Sequence, residues 1–175
     1  TWHWNRYPGA RCDIPSLEYS YQFDADLQQE WNWSEKYSAQ PEILEYINHV
    51  ADRYELRDEI NFEEEVTSAV FNESTSKWDI STSKGLYSSK FCIFATGCLS
   101  VPNKPDFQGL ENFEGQIFQT STWPQEEQDF SGKKVAIIGT GSSAIQSIPL
   151  IADQADELYV FQRPPNYSIP SNNGP

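Results

Sequence analysis

Residues 133–145, KKVAIIGTGSSAI, constrain the fold more than any other stretch of this chain. The apolar run from Val135 to Ile138 meets a turn carrying Gly139, Gly141 and Ala144, and a helical pattern follows at once. Strand, G-x-G-x-x-A turn and helix, in that order, are what gripping a dinucleotide pyrophosphate requires. Gly139 permits the tight turn, Gly141 lets backbone approach phosphate, and Ala144 is small enough for helix to pack closely on strand. The helix start then offers unpaired N–H groups and a positive dipole end to the anion. The pattern predicts a βαβ unit in an α/β fold, with Gly139, Gly141 and Ala144 at the diphosphate turn. A plain glycine turn in an α/β domain is the alternative.

The following strand decides which dinucleotide fits. Glu157 to Phe161 reads as that strand, ending in Gln162 and Arg163. A sheet that prefers NAD usually places Asp or Glu about 20 residues beyond the glycines, on the ribose 2′-hydroxyl. Here the strand end carries Arg163 instead. A guanidinium suits a 2′-phosphate bidentately, whereas a carboxylate repels it. NADPH is therefore favoured over NADH, the alternative being an arginine on a solvated loop.

At 175 residues the chain can hold one domain with a sizeable core, or parts of two. It contains no methionine, opens on Thr1-Trp2-His3-Trp4 and stops on Gly-Pro soon after a strand, so we read it as an internal piece of a longer protein. The net charge of −14 argues against a nucleic-acid partner and against an anionic membrane surface. No apolar run approaches the roughly 20 residues of a membrane span, and a cytoplasmic location is expected, although a targeting signal could precede these residues. The three cysteines, Cys12, Cys92 and Cys98, follow no zinc spacing, which suits a reduced protein. With only His3 and His49, no metal site is expected. The many Trp, Tyr and Phe residues suit either flat ring ligands or a core.

Residues 1–25 are aromatic and aperiodic, which predicts loop. A helix is expected from Pro41, with Ile43, Leu44, Ile47, Val50, Ala51 and Tyr54 inward and Glu42, Glu45, Asn48 and Asp52 outward. Residues 61–71, 77–82 and 87–95 read as strands, the last buried on both faces because Phe91 to Phe94 is continuously apolar. Residues 101–131, rich in Pro and Gly, read as a connector. The helix after the glycine turn carries Pro149, where a kink is expected.

Outside the glycine turn the densest chemistry is Arg6, Arg11 and Asp13 among Trp2, Trp4, Tyr7 and Tyr19. On composition alone a structural ion pair is as good a reading as a site. The runs TWHWNRYPGARCDIPSLEYSY, QEWNWSEKYSAQPEILEYINHVADR, ATGCLSVPNKPDFQGL and GTGSSAIQSIP…VFQRPPNYSIP resemble the Baeyer–Villiger monooxygenases of the cyclohexanone and phenylacetone type, within the class B flavin monooxygenases. The resemblance runs the length of the chain.

It implies two Rossmann-like dinucleotide-binding domains, both incomplete here. Residues 1–105 would belong to the FAD-binding part, 106–131 would be a connector, and 132–175 would begin the NADP-binding part. Thr1, Trp2, His3 and Trp4 would sit at FAD, with Tyr19 and, more weakly, Val66. Asp13 would touch FAD and orient the family's catalytic arginine; Arg11, Cys12 and Asp13 would line the nicotinamide. Gly139 to Ile145 would hold the NADP pyrophosphate, and Gln162 and Arg163 the adenosine end. The implied reaction uses NADPH and O2 to convert a ketone to an ester or lactone.

Three departures stand out. The family fingerprint F-x-G-x-x-x-H-x-x-x-W-P appears as Phe113, Gly115, Gln119, Trp123 and Pro124. Gln119 can hydrogen-bond but cannot become a cation near neutral pH. Pro164 replaces a common threonine after the arginine. The family's first FAD glycine motif and its later arginine fall outside these residues, so the piece alone is expected to be inactive. Two rivals remain: a class B enzyme that oxygenates nitrogen or sulfur, and a non-catalytic NADP-binding remnant.

Overall fold

A computed structural model describes residues 1–175. The chain divides into two compact units, one of Thr1–Asn48 with Val101–Pro175 and one of His49–Ser100.

In the first unit, α1 (Ala25–Glu30) starts at Asp24, whose side chain accepts from Asp26 N–H and Leu27 N–H. That N-cap satisfies two otherwise orphaned donors. The helix expected from Pro41 is α2 (Gln40–Arg53), whose residues from His49 onward count with the second unit. Its buried stripe differs from the expected one: Ile43, Tyr46 and Val50 are buried, while Ile47 is exposed. Tyr46 causes the rotation. Its ring packs against Trp33, Trp31 and Tyr21 at centroid distances of 5.0, 5.3 and 6.1 Å, and its hydroxyl accepts from Tyr21 N–H at 2.8 Å. A ring that buries so much area with its oxygen satisfied outcompetes isoleucine for the inner face.

The second unit carries an antiparallel sheet of β1 (Val66–Asn72), β2 (Lys77–Thr82) and β3 (Leu86–Ser89). Asn72 turns the chain between β1 and β2, its Oδ1 accepting from Ser74 and Thr75 N–H. Phe71 faces Trp78 across the ladder, with rings 5.6 Å apart. The third strand is shorter than the sequence predicts. The register of β2 ends at Trp78 opposite Ser89, so Phe91 to Phe94 have no strand to pair with. Phe91 and Ile93 are exposed rather than buried on both faces.

The predicted βαβ unit is present in the first unit as β4 (Lys134–Ile138), α3 (Ser142–Ala152) and β5 (Glu157–Phe161). β4 and β5 pair in parallel from Lys134–Glu157 to Ile138–Phe161, as a βαβ crossover demands. α3 runs through Pro149 to Ala152 and buries Ser147 and Ile151, while Ile145 is exposed. No helix is long and apolar enough to cross a membrane.

Candidate functional site

The glycine turn and the opening loop both lie in the first unit. Gly139 has φ +110°, a left-handed value that favours glycine, and its N–H donates to Phe161 O at 2.7 Å. The turn is thereby tied to the end of β5. Thr140 Oγ1 donates to Gln162 Oε1 at 3.3 Å, and Asn166 Nδ2 donates to Thr140 O at 2.7 Å.

The first hydrogen bond of α3 runs from Ile145 N–H to Gly141 O at 3.0 Å, so the amides of Ser142, Ser143 and Ala144 precede the helical ladder. Gly141, the extended N-cap, has no side chain to cap them. Three amide donors, the positive end of a helix and open space at Gly139 fit a diphosphate. Arg163 lies just beyond β5 and is exposed.

Thr1 to Trp4 form a turn in which Trp4 and Asn5 N–H both donate to Thr1 O, at 3.0 and 2.9 Å. Trp2 is half-buried and meets the Tyr19 ring edge-on at 5.6 Å, and its carbonyl accepts from Gln40 Nε2. His3 and Trp4 make a second edge-on pair at 4.8 Å. Burial, then the Cys12 thiol and the Asp13 carboxylate, push the Tyr19 phenol above its ordinary pKa.

The Arg-Cys-Asp segment is stitched to residues 35–40. Cys12 N–H donates to Ser38 O at 3.1 Å and Gln40 N–H to Ala10 O at 2.7 Å, an antiparallel bridge between Arg11 and Ala39. Buried Ser16 reinforces it, its hydroxyl donating to Glu35 O at 2.9 Å and accepting from Ser38 N–H at 2.8 Å. The Cys12 thiol is buried and points to Ser38 O at 3.4 Å, so it faces into the chain.

The ion pair weighed from composition is not the one formed. Arg11 Nη1 lies 3.3 Å from Glu35 Oε2, and Arg6 Nε donates to His3 O at 3.0 Å. Asp13 instead accepts at Oδ1 from Gln146 Nε2, on α3, at 2.5 Å. Gln146 also accepts from Tyr7 OH at 3.0 Å and Arg11 N–H at 3.2 Å, and donates to Arg11 O at 3.1 Å. Gly9 makes this approach possible. It has φ +77°, and a Cβ there would lie 2.2 Å from Gln146 O.

Neither Gly9 nor Gln146 was singled out from the sequence. A Pro-Gly turn signal marked Gly9, but the partners of Gln146 lie more than a hundred residues away, beyond any periodicity.

The fingerprint residues lie in the same unit. The Phe113 ring covers Gly115, where a Cβ would lie 2.6 Å from ring carbons. Gln119 Nε2 donates to Asn103 O at 2.6 Å, and Trp123, beside half-buried Pro124, packs against Phe118 at 5.2 Å. Val66, in the other unit, opens β1 opposite Thr82 and is exposed. No group of three or more His, Cys, Asp or Glu side chains is placed to hold a metal ion.

Residues 17–168 match the family described as pyridine nucleotide-disulphide oxidoreductase. The chain is 46% identical, over 99% of its length and 33% of the relative's, to an acetone monooxygenase (methyl acetate-forming) from Gordonia sp. (strain TY-5). A solved structure of oxidized steroid monooxygenase bound to NADP is 57% identical with a TM-score of 0.91, covering 98% of this chain and 33% of that one. Another, the OTEMO complex with FAD and NADP, is 41% identical with a TM-score of 0.88, covering 99% and 34%. Further relatives bear the names Baeyer–Villiger monooxygenase and cyclohexanone 1,2-monooxygenase, so the resemblance read from the sequence is borne out. The chain spans about a third of the length of the relatives it matches.

Proposed function

The chain belongs to the pyridine nucleotide-disulphide oxidoreductase family, and from that premise we propose that it is the cofactor-binding part of an FAD- and NADPH-dependent Baeyer–Villiger monooxygenase. The overall reaction takes a ketone, O2, NADPH and a proton to an ester or lactone, NADP+ and water. The observation that carries this reading is the Asp13–Gln146 bond, which joins the opening aromatic loop directly to the helix behind the glycine turn. A plain glycine turn would have no reason to hold that loop.

In this reading, residues 1–105 contribute to an FAD domain, 106–131 connect, and 132–175 begin an NADP domain. The amides of Ser142 to Ala144 bind the pyrophosphate and Arg163 the 2′-phosphate. Gln162 and Thr140 brace the turn between them. Trp2 and Tyr19 give an aromatic wall that excludes water beside the flavin, and Thr1, His3 and Trp4 extend it. Bound FAD supplies the oxygen chemistry. Asp13, held at one oxygen by Gln146, orients a cationic partner with the other. Arg11 pairs with Glu35 and its backbone N–H and C=O are bonded to Gln146, which anchors the loop that would line the nicotinamide.

The test uses the full-length, FAD-loaded protein. NADPH should bleach the flavin much faster than NADH, and a ketone panel should yield esters or lactones. Oxygenation of amines or sulfides with no ester would replace this reading with the heteroatom-oxygenating one.

A further inference from the structure

Resting on the function proposed above, we infer that Gln146 is a positioning residue that sets the Asp13 carboxylate from the nucleotide-binding helix. A glutamine amide has two N–H donors and an oxygen with two lone pairs. Here all four are used. Nε2 donates to Arg11 O and to Asp13 Oδ1, and Oε1 accepts from Arg11 N–H and Tyr7 OH. The amide thus mimics a peptide group paired with the Arg11 backbone, and its remaining N–H reaches the carboxylate.

The partners also fix which way the amide points. Arg11 N–H needs an acceptor and Arg11 O a donor, so a flipped amide would lose both bonds and set oxygen against the Asp13 carboxylate. Glutamate, of the same size, could serve Tyr7 and Arg11 N–H but would face Arg11 O and Asp13 with a second acceptor.

Gln146 lies in the second turn of α3, whose first turn carries the free amides, and its own carbonyl rests against Gly9. Any change in the seating of α3 is therefore passed to Asp13 through one fully bonded side chain. Oδ1 is taken by Gln146, and Oδ2 is left to a cationic partner.

Gln146→Glu in the full-length, FAD-loaded protein tests this, with Gln146→Met and Tyr7→Phe beside it. For Gln146→Glu, flavin reduction at saturating NADPH and ester formation should both fall by about tenfold or more, with KM for NADPH within about threefold of the parent. Flavin content and the preference for NADPH over NADH should stay as in the parent. Gln146→Met, lacking all four bonds, should fall at least as far, and Tyr7→Phe should show a smaller loss of the same kind. Parent-like turnover in Gln146→Glu would overturn the inference. So would a raised KM with unchanged kcat, or loss of flavin or fold in both Gln146 variants, since those outcomes assign Gln146 to nucleotide seating or to structure alone. A parent protein that NADPH does not bleach fails the functional reading instead, which keeps the two failures distinct.

Discussion

Gln146 Nε2 and Asp13 Oδ1 lie 2.5 Å apart, bridging the helix behind the glycine turn to the opening aromatic loop. One residue lies in the aromatic loop and the other on the helix after the glycine turn, and the bond joins the two segments. A carboxylate accepting a donor at one oxygen is fixed in rotation, which is what orienting a second charge requires.

Gly9→Ala should disturb this junction from the backbone side. The residue combines φ +77° with a Cβ position 2.2 Å from Gln146 O, so alanine is strained twice. Left-handed strain and overpacking together should destabilise by about 2–5 kcal/mol, read as a lower melting temperature. An unchanged melting temperature would mean that the loop does not press on α3.

Arg163→Ala should weaken NADPH about 10–100-fold, the loss of charge-assisted bonds to a phosphate, and leave NADH nearly unaffected. Steady-state KM values for both nucleotides check this. Equal losses for the two would place Arg163 elsewhere than at the 2′-phosphate.

Gln119 donates to Asn103 O at 2.6 Å, a role that needs no charge. Gln119→His can keep one donor there and adds a group that titrates near pH 6.5, so it should introduce a pH dependence near neutrality that the parent lacks at this position. Gln119→Leu should loosen residues 101–119, seen as faster amide exchange. Identical exchange in Gln119→Leu would deny the bond any role.

Glu42 ties α2 to the preceding loop, accepting from Ser34 N–H and Ser34 Oγ, each at 2.7 Å. Burial pushes its carboxyl up, but the bonds from Ser34 and Ser38 outweigh it and hold the pKa below the ordinary value. A folded-state pKa below the unfolded one stabilises the fold above the unfolded value and loses that contribution as pH falls through the folded one. Melting temperature should therefore drop on the acid side, and Glu42→Gln should flatten that drop. An equally steep acid limb in the variant would contradict it.

The βαβ unit was legible because its signals are local: an apolar run, glycines at fixed spacing and a strand that begins at Glu157, as the structure shows. Tyr46 was missed because the burial of an aromatic ring depends on Trp31 and Trp33, which spacing within one helix does not reveal. Phe91 to Phe94 read as a buried strand because an apolar run signals a strand only when partners flank it. The Arg11–Glu35 pair and the Gln146 junction were illegible for a related reason. Each joins residues whose proximity is created by the fold, and charge composition alone pointed to the nearer Asp13.

The most direct test of the central claim follows oxygen. The full-length, FAD-loaded protein should be given NADPH and a ketone under ¹⁸O-labelled O2, with mass spectrometry of the product. The account predicts an ester or lactone carrying one labelled oxygen beside the original carbonyl oxygen, with the other labelled atom in water. NADPH consumption that yields only hydrogen peroxide, with the ketone recovered unlabelled, would contradict it.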